Sequence, residues 1–408
     1  MRSLSELNAL INAGQNFSRK QLTESSFKAS IESYKKLLGE QDEVLTSNGD
    51  VEALKYGIQQ FPSLERITLT PTTHGVLLNP IYETPMIRSL RSSAVYPLPP
   101  GLQYYPRRQF STISWNESFY RVLEEDRRNK WRGFRVITKV LAETSHNISQ
   151  FVIKTHHMDT GISSDLLHQP CPELDNLTAL IQTPGFRRLD LAVNLGGYGM
   201  HQLLEYRARY LHEALAKAVN LEHFSLRGTD SRRKYALCMA NKEERENISL
   251  WLSLEDIFPV QRWSRLKHFG ISKLWITQSD LLSLLASLPE TLRSVELSFL
   301  AFQTRDDSYR SLLYKMRNGI ILDWRKRPEG QRPVVKIAVE THDYCAQGHV
   351  IRVDEAANAF LYGSGENPFS DEHPCSVIDG MGVVRSEIDP TYEETYTRPP
   401  NYRGYSTF

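Results

Sequence analysis

The chain has 408 residues, of which 40% are hydrophobic and 24% are charged, as is typical of a globular protein rather than a disordered one. This length suffices for two or three ordinary domains or for one extended repeat domain. Lys and Arg number 49 and Asp and Glu number 48, which gives a net charge of +1. A nucleic-acid-binding domain usually carries a basic excess, so we expect no nucleic-acid partner.

The cysteine content and the hydrophobic runs indicate an intracellular protein. Four cysteines in 408 residues are few for a secreted chain and favour reduced thiols. Residues 1–20 contain no apolar segment typical of a signal peptide. The longest strongly apolar run, Leu281 to Leu288, is far shorter than the ~20 residues of a membrane helix. We therefore predict a location in the cytoplasm or nucleus and no membrane partner.

The chain begins with a predicted helical segment, assigned to residues 1–45. Between residues 20 and 45, Phe27, Ile31, Tyr34 and Leu38 recur at helical spacing and form an apolar stripe. We expect this stripe to be covered either by the first repeat described below or by a module that is missing from this sequence.

A short pattern then recurs along the chain: an apolar residue, two variable residues, a second apolar residue, one variable residue and a third apolar residue. Such short, partly alternating apolar segments predict strands with one buried face. The matches are Leu64-Ile67-Leu69, Ile148-Phe151-Ile153, Phe186-Leu189-Leu191, Leu221-Phe224-Leu226, Leu266-Phe269-Ile271, Leu292-Val295-Leu297 and Val334-Ile337-Val339.

Most of these segments follow a stretch with the apolar spacing of a helix. Val51, Leu54 and Ile58 precede the first match, for example. A proline, such as Pro62 or Pro289, often ends the helical stretch. A single unit of helix, turn and strand cannot bury its apolar surface alone, whereas stacked units can.

These observations predict an α/β fold, an irregular leucine-rich-repeat-like solenoid or horseshoe with inserted loops and helices, over residues 46–345. Regular leucine-rich repeats have 20–29 residues. Here the first apolar positions lie between 26 residues apart (Leu266 to Leu292) and 84 residues apart (Leu64 to Ile148). The longest gap either contains a further unit near residues 87–90 or is one long excursion. Within it, the Pro- and Tyr-rich residues 96–115 predict an extended loop.

Three segments resemble a known family. They are YKKLLGEQDEVLTSNGDVEALKYGIQQFPSLERITLTPTTHG (followed by PIYETPMIRSL), KWRGFRVITKVLAE, and LLSLLASLPETLRSVELSFL. Together they resemble ascomycete F-box proteins with a degenerate leucine-rich-repeat-like body. This resemblance implies a non-catalytic protein-recognition scaffold, the substrate-receptor part of a ubiquitin-ligase adaptor. Residues 1–20 contain no LPxE-like start, so we expect the F-box itself to be missing.

A glycine-rich turn offers an alternative function. The segment NLGGYGMHQLLEY, residues 194–206, follows a predicted strand and opens a helix, the context of a phosphate-binding loop. Gly196, Gly197 and Gly199 match neither the dinucleotide-binding nor the P-loop spacing. We predict a tight turn there. The alternatives that stay open are a nucleotide-binding protein or enzyme using Gly196–Gly199, and a structural remnant without a partner.

No other motif predicts chemistry. Cys345, His349, His373 and Cys375 are zinc-ligand types, but their spacing is not that of a zinc site. His156-His157 would point to opposite faces of a continuing strand and so would not converge on one metal. Hydrolase, metalloprotease, P-loop and kinase motifs are absent from the sequence. We predict no enzymatic activity, cofactor or metal.

The exposed positions of the predicted strands form a candidate partner-binding face. In a stacked strand, residues between the apolar positions face outward, where solenoids commonly bind their partners. Basic residues exceed acidic ones at these positions, which predicts a protein partner with acidic or phosphorylated groups. One column consists of Arg66, Gln150, Arg188, His223, His268, Ser294 and Lys336, and the neighbouring column adds Arg187, Lys267 and Arg293 against Glu65 and Glu222.

Residues 346–408 are interpreted as a C-terminal extension. From about residue 386 the sequence has few aliphatic residues and several Tyr and Pro. A segment of that composition buries little apolar surface, so we predict that it is flexible.

Overall fold

A computed structural model gives the structure of the chain. It describes residues 24–70, 131–155, 161–167, 170–194, 208–229, 253–302, 306–340, 349–371, 376–386 and 391–397. Several predictions fall outside these residues: the loop at 96–115, His156-His157, Gly196–Gly199, and the zinc-ligand types Cys345, His373 and Cys375.

The described residues form ten α-helices and three short 3₁₀ helices. The α-helices are α1 (Glu24–Ser47), α2 (Gly49–Gln60), α3 (Arg132–Glu143), α4 (Pro172–Ile181), α5 (Ala208–Leu215), α6 (Leu254–Ile257), α7 (Gln278–Ala286), α8 (Tyr309–Asn318), α9 (Ile320–Arg325) and α10 (Asp354–Tyr362). The 3₁₀ helices are Ser164–Leu167, Val260–Arg262 and Glu329–Gln331.

Fourteen strands complete the described secondary structure. They are β1 (Arg66–Leu69), β2 (Gln150–Ile153), β3 (Ile162–Ser163), β4 (Arg188–Asn194), β5 (His223–Thr229), β6 (His268–Ser272), β7 (Trp275–Ile276), β8 (Ser294–Ser298), β9 (Ala301–Phe302), β10 (Val334–Lys336), β11 (Ala338–Glu340), β12 (His349–Arg352), β13 (Val383–Ser386) and β14 (Glu393–Thr395).

The main sheet has seven parallel strands in the order β1-β2-β4-β5-β6-β8-β10, and the short strand β3 pairs with the end of β4. This order follows the chain, so each strand lies beside the next one along the sequence. All seven apolar segments of the sequence pattern contribute to these strands. Because β1 pairs directly with β2, with Arg66 opposite Gln150, no strand from the 84-residue gap lies between them. Residues 71–130 of the gap, including the possible unit near residues 87–90, lie outside the described residues.

The register of the main sheet stacks the apolar positions into columns on one face. The second apolar positions of five successive strands are in register and fully buried: Phe151, Leu189, Phe224, Phe269 and Val295. Burial of large side chains of this kind is the main favourable contribution to stability.

The helices pack against the same apolar face. The ring of Phe134 on α3 lies 6.2 Å from that of Phe151, and Phe224 packs edge-on against Phe258 with centroids 5.5 Å apart. The buried indole of Trp263 donates from Nε1 to the carbonyl of Leu215, 3.1 Å away. The molecule thus has a layer of helices on one side of the sheet, and the other face carries the polar positions.

One partly buried arginine fixes the corner between α1, α2 and α3. The Arg132 guanidinium makes two bonds to the carboxylate of Asp50, at 2.7 and 2.8 Å, and one to Oδ1 of Asn48 at 3.0 Å. Asn48 has a left-handed backbone with φ of 53°, which lets the chain turn between α1 and α2. The guanidinium holds the pKa of the Asp50 carboxyl below its usual value, chiefly through these hydrogen bonds.

A second, antiparallel sheet follows the main sheet, in the order β11-β12-β13-β14. Its last strand, β14, lies in the segment that the sequence predicts to be flexible. The difference has a physical reason: all three residues of β14 are exposed, so the composition carries no burial signal. The strand is instead held by its backbone pairing with β13 and by the bond from Tyr396 N–H to Gly382.

The outer edge of β10 is closed by side chains of α10. The amide of Asn358 bonds both polar backbone groups of Val335, accepting from N–H at 2.9 Å and donating to the carbonyl at 2.6 Å. Asp354 Oδ1 accepts from the N–H of Ile337 at 2.8 Å. These groups replace the hydrogen bonds of a further strand, which leaves this edge unable to pair with another chain.

None of the helices in the described part of the chain combines the length and the apolar character needed to cross a membrane.

We predict that Asn358→Ala lowers the free energy of unfolding by about 1–3 kcal/mol, because it leaves the buried N–H and carbonyl of Val335 without partners. Urea denaturation followed by circular dichroism measures this loss. Asn318→Ala is the matched control: Asn318 is exposed at the end of α8, so its change should stay within about 0.5 kcal/mol. Equal effects of the two substitutions would contradict the edge-closing role.

Candidate functional site

The face of the main sheet opposite the helices carries columns of polar residues, and we call it the polar face. The register confirms most of the predicted column. Arg66, Gln150, Arg188, His223, His268 and Ser294 are in register on six successive strands.

The last member of the predicted column is wrong. Val334, and not Lys336, pairs with Ser294, and Lys336 lies opposite Glu296 in the next column. The apolar pattern was assigned two residues too late in the final strand. The reason is that this strand has a charged residue, Arg332, at the position where the other strands have their first apolar residue. The Arg332 guanidinium donates to the carbonyls of Arg325 and Arg327, at 3.3 and 3.2 Å.

The basic residues of the neighbouring column are largely engaged within the molecule. Arg187 forms an ion pair with Glu65, and Lys267 forms one with Glu222 at 2.8 Å. Arg293 donates to the backbone carbonyls of Glu290 and Leu292. Ion pairs between strands, one of neighbouring strands and one across β2, therefore reduce the basic excess expected from the sequence.

A connected group of polar side chains crosses the centre of the polar face. Arg188 Nη2 donates to Oδ2 of Asp190 at 2.6 Å, and His223 Nε2 lies 3.0 Å from the other carboxylate oxygen of Asp190. Burial raises the pKa of Asp190, but the hydrogen bonds from His223 and Arg188 outweigh burial and leave the pKa below its usual value. Asp190 is thus an ionised carboxylate with two fixed partners.

The group continues from β5 to β6 and β8 through His268. The rings of His223 and His268 stack with centroids 4.0 Å apart and an angle of 14° between their planes. His268 Nδ1 lies 2.6 Å from Oγ of Ser294, and Nε2 lies 3.3 Å from Oγ of Ser225. Both nitrogens of His268 therefore have a hydroxyl partner, and we call Arg188, Asp190, His223, His268, Ser225 and Ser294 the central cluster.

His268 is held neutral by its surroundings. Burial, followed by the electrostatic effects of the neighbouring His223 and Lys336, lowers the pKa of His268 to about 3. A general base works best when its pKa lies near the operating pH. His268 is therefore poorly suited to take a proton from either serine at neutral pH, and the geometry favours a fixed hydrogen-bonding role.

Gly270 leaves the space in which the side chains of the central cluster contact one another. A Cβ atom at this position would come within 2.6 Å of Ser225 Oγ and 3.1 Å of His268 Nε2. Any side chain would have to displace the Ser225 hydroxyl from His268. The glycine is thus required by the close approach of the neighbouring side chains.

Two basic residues at opposite ends of the polar face keep their charge available. Within the described part of the chain, neither Arg66 nor Lys336 forms an ion pair; Arg66 only bonds the Thr68 hydroxyl, at 3.3 Å. Lys154 on the same face is exposed and is likewise without an ion pair in that part of the structure. An anionic ligand could reach each of these three cations without displacing a carboxylate from it.

The sequence analysis missed the second polar column, which supplies Asp190, Ser225 and Gly270. The sequence does contain a signal for this column, because these residues lie between the second and third apolar positions of their strands. Reading that position across the repeats gives Thr68, Val152, Asp190, Ser225, Gly270 and Glu296, which the register confirms as one column.

Among the residues that the structure describes, no group of three or more His, Cys, Asp or Glu side chains is arranged to hold a metal ion. Comparison of the chain with protein-family models, curated proteins and solved structures finds no match. The polar face therefore has to be interpreted from its own geometry.

We predict that Gly270→Ala breaks the Ser225–His268 hydrogen bond and lowers the free energy of unfolding by about 1–3 kcal/mol. Gly57→Ala on α2 is the matched control. Nothing lies within 4 Å of its added Cβ, so the higher helix propensity of alanine should make it neutral or stabilising. Chemical denaturation of both variants checks the difference, and a neutral Gly270→Ala would mean that the cluster does not depend on this glycine.

The depressed pKa of His268 predicts a pH dependence of stability. Below the ordinary histidine pKa of 6.5 the unfolded chain binds a proton that the folded chain refuses until about pH 3, so folding loses stability as the pH falls. His268→Gln removes this loss. We expect the variant to have a lower free energy of unfolding than the wild type at pH 7.5. The difference in free energy of unfolding between the two proteins should become smaller towards pH 4.5, as measured by urea denaturation. His146, whose pKa burial also lowers, is present in both proteins and cancels in the comparison. A constant gap would contradict a neutral His268.

Proposed function

We propose that the chain is a non-catalytic protein-recognition scaffold with an irregular leucine-rich-repeat-like body. The observation that carries the proposal is the polar face: six successive strands present one polar residue each in strict register, opposite a buried apolar face. An extended surface built of repeated, outward-facing positions is the feature that solenoid proteins use to bind partners. The chain order of the parallel strands supports the same interpretation.

The partner we propose is a protein segment with acidic or phosphorylated groups. The carboxylates of Glu65, Asp190 and Glu222 are each bonded to a basic group of the face. Arg66 and Lys336 have no such ion pair in the described structure, so an incoming anion meets uncompensated positive charge at both ends of the face. Arginine in particular binds carboxylate and phosphate oxygens through two parallel hydrogen bonds.

The resemblance to ascomycete F-box proteins leads to the role we propose for this recognition. In such proteins the repeat body selects the substrate of a ubiquitin ligase, and the F-box connects it to the rest of the enzyme. We propose that this chain acts as a substrate-receptor-like body. A fixed, internally hydrogen-bonded central cluster supports a binding role over a catalytic one, because neutral His268 is a poor base.

The proposal is tested by reversing charge on the polar face. We would purify the tagged chain with its bound proteins, as wild type and as the double variant Arg66→Glu with Lys336→Glu. We expect the recovery of a specific partner to fall at least about tenfold in the variant, and wild-type recovery to fall as salt rises, because exposed charges are screened.

The matched control is the double variant Lys36→Glu with Lys139→Glu, which reverses two exposed charges on α1 and α3. Its net charge equals that of the polar-face variant. This control should retain the partner. Equal recovery with all three proteins would overturn the polar face as the binding surface. Recovery of the cullin-RING adaptor together with the partner would support the ligase role. Recovery of the partner without the adaptor would limit the proposal to protein recognition.

A further inference from the structure

Two arginines in the segments that lead into β8 and β10 bond the same pair of backbone oxygens. Arg293 Nη1 donates to the carbonyls of Glu290 and Leu292, at 3.0 and 2.9 Å. Arg327 Nη1 donates to the same two carbonyls, at 3.1 and 3.3 Å. The two guanidinium groups are therefore direct neighbours, although both carry a positive charge.

The shared carbonyls leave one edge of each guanidinium free. Arg293 and Arg327 donate only through Nη1, and within the described residues Nε and Nη2 of both have no hydrogen-bond partner. The Nε–Nη2 edge is the one with which Arg132 binds the Asp50 carboxylate, at 2.7 and 2.8 Å. The same molecule thus shows what this edge holds when an oxyanion is present.

The positive charge of the pair has no carboxylate partner in the described part of the chain. Glu290 contributes its carbonyl, while its carboxylate forms no ion pair with any described residue. Burial lowers the pKa of Arg327, the Glu290 carboxylate raises it and the charge of Arg293 lowers it, so that the pKa lies below its usual value. Two like charges held together in a partly buried place cost free energy, which a bound anion would offset.

Two further arginines add to the positive charge around the pair. Arg325 donates to the carbonyl of Leu361, and Arg332 donates to the carbonyls of Arg325 and Arg327. Neither forms an ion pair with a described residue. With Arg327, they lie close enough to the Tyr362 hydroxyl to oppose the rise in its pKa that burial causes. Four arginines without a described carboxylate partner are thus gathered in one region.

We infer that the free edges of Arg293 and Arg327 bind the phosphate group of a phosphorylated side chain. The inference rests on the proposed recognition role and names the chemical group by which this chain holds its partner. Two edges with two positive charges match a phosphate dianion, whose three oxygens can accept from both. A single carboxylate is satisfied by one such edge, as Asp50 is by Arg132. Nucleic-acid affinity depends on neutralising many phosphates, whereas this site takes one.

Titration calorimetry of the full chain with phenyl phosphate tests the site itself. Benzoate is the matched ligand, because it has the same ring and only one charge. At pH 7.5 we expect phenyl phosphate to bind at least about tenfold more tightly than benzoate. Arg293→Gln and Arg327→Gln should each weaken phenyl phosphate binding at least about tenfold, and so should Arg327→Lys, which keeps the charge but loses the planar edge.

Arg317→Gln is the matched control variant. Arg317 also donates to a backbone carbonyl, that of Gly363, and forms no ion pair with a described residue. Its change should leave phenyl phosphate binding as in the wild type. Circular dichroism checks that each variant is folded, and Arg327→Lys still allows the test if Arg327→Gln unfolds, because its ammonium can bond a carbonyl. Equal affinity for the two ligands, or unchanged phenyl phosphate binding in Arg293→Gln and Arg327→Lys, would overturn the inference.

Recovery of the partner separates a failure of this inference from a failure of the proposed function. The tagged chain is purified from cell extract with and without phosphatase treatment, as wild type, as Arg293→Gln with Arg327→Lys, and as Arg66→Glu with Lys336→Glu. We expect the partner to be lost from the first double variant and after phosphatase treatment.

A partner that stays bound after phosphatase treatment, or that only the variant of Arg66 and Lys336 loses, overturns the phosphate site and leaves the proposed function intact. A partner retained by all three proteins overturns both. Recovery of RNA or DNA that nuclease removes, in place of a phosphorylated protein, overturns the assignment of the site to a protein side chain.

Discussion

The register of the main sheet is the constraint on which the other features of this molecule depend. Because the parallel strands pair residue for residue, the apolar positions of successive units fall into continuous columns, and so do the polar positions. Phe224 illustrates the first effect: it contacts Phe269 on the next strand and Trp263 in the layer below, with ring centroids 6.2 and 4.9 Å away. A shift of one residue would exchange the buried and polar faces of a strand, so the register is strongly specified.

The same register determines the electrostatics of the polar face. Lys267 pairs with Glu222 beside it on the next strand, and Arg187 reaches across β2 to Glu65, because the register aligns these positions. Exposed pairs of this kind contribute little to stability. Their main consequence is that they compensate charge at the surface, whereas Arg66, Lys154, Arg293 and Lys336 form no ion pair with any described residue.

The strands could be predicted from the sequence because burial leaves a local signal. An apolar triplet such as Phe186-Leu189-Leu191 records which residues face the core, and this information is contained within six positions. The contacts that close the site carry no such signal. The Asp190–His223 and His268–Ser294 contacts join residues 33 and 26 positions apart, and they form only once the register is known.

Errors of the sequence analysis arose where a polar contact replaces an apolar one. Arg332 occupies the place of an apolar residue by donating to backbone carbonyls, which displaced the predicted column at Lys336. Strand β14 is held by backbone pairing and by the ion pair of Glu393 with Arg385, so its exposed composition resembles that of a flexible segment. In both places, polar contacts stabilise a position that apolar burial stabilises in the other strands. A search for hydrophobic patterns therefore cannot find these positions.

The central cluster and the edge of β10 show how the fold treats buried polar groups. Each nitrogen of His268 has a hydroxyl partner, and each outward backbone group of Val335 has an atom of Asn358. Leaving a buried polar group unpaired costs more than a satisfied hydrogen bond contributes, which favours the closure of these particular groups. Arg66 is exposed and Lys336 is partly exposed, so water satisfies their charged groups at little cost. In the proposed recognition role, an anionic partner would replace that water at the two ends of the sheet, whereas the polar groups of the central cluster are already engaged with one another.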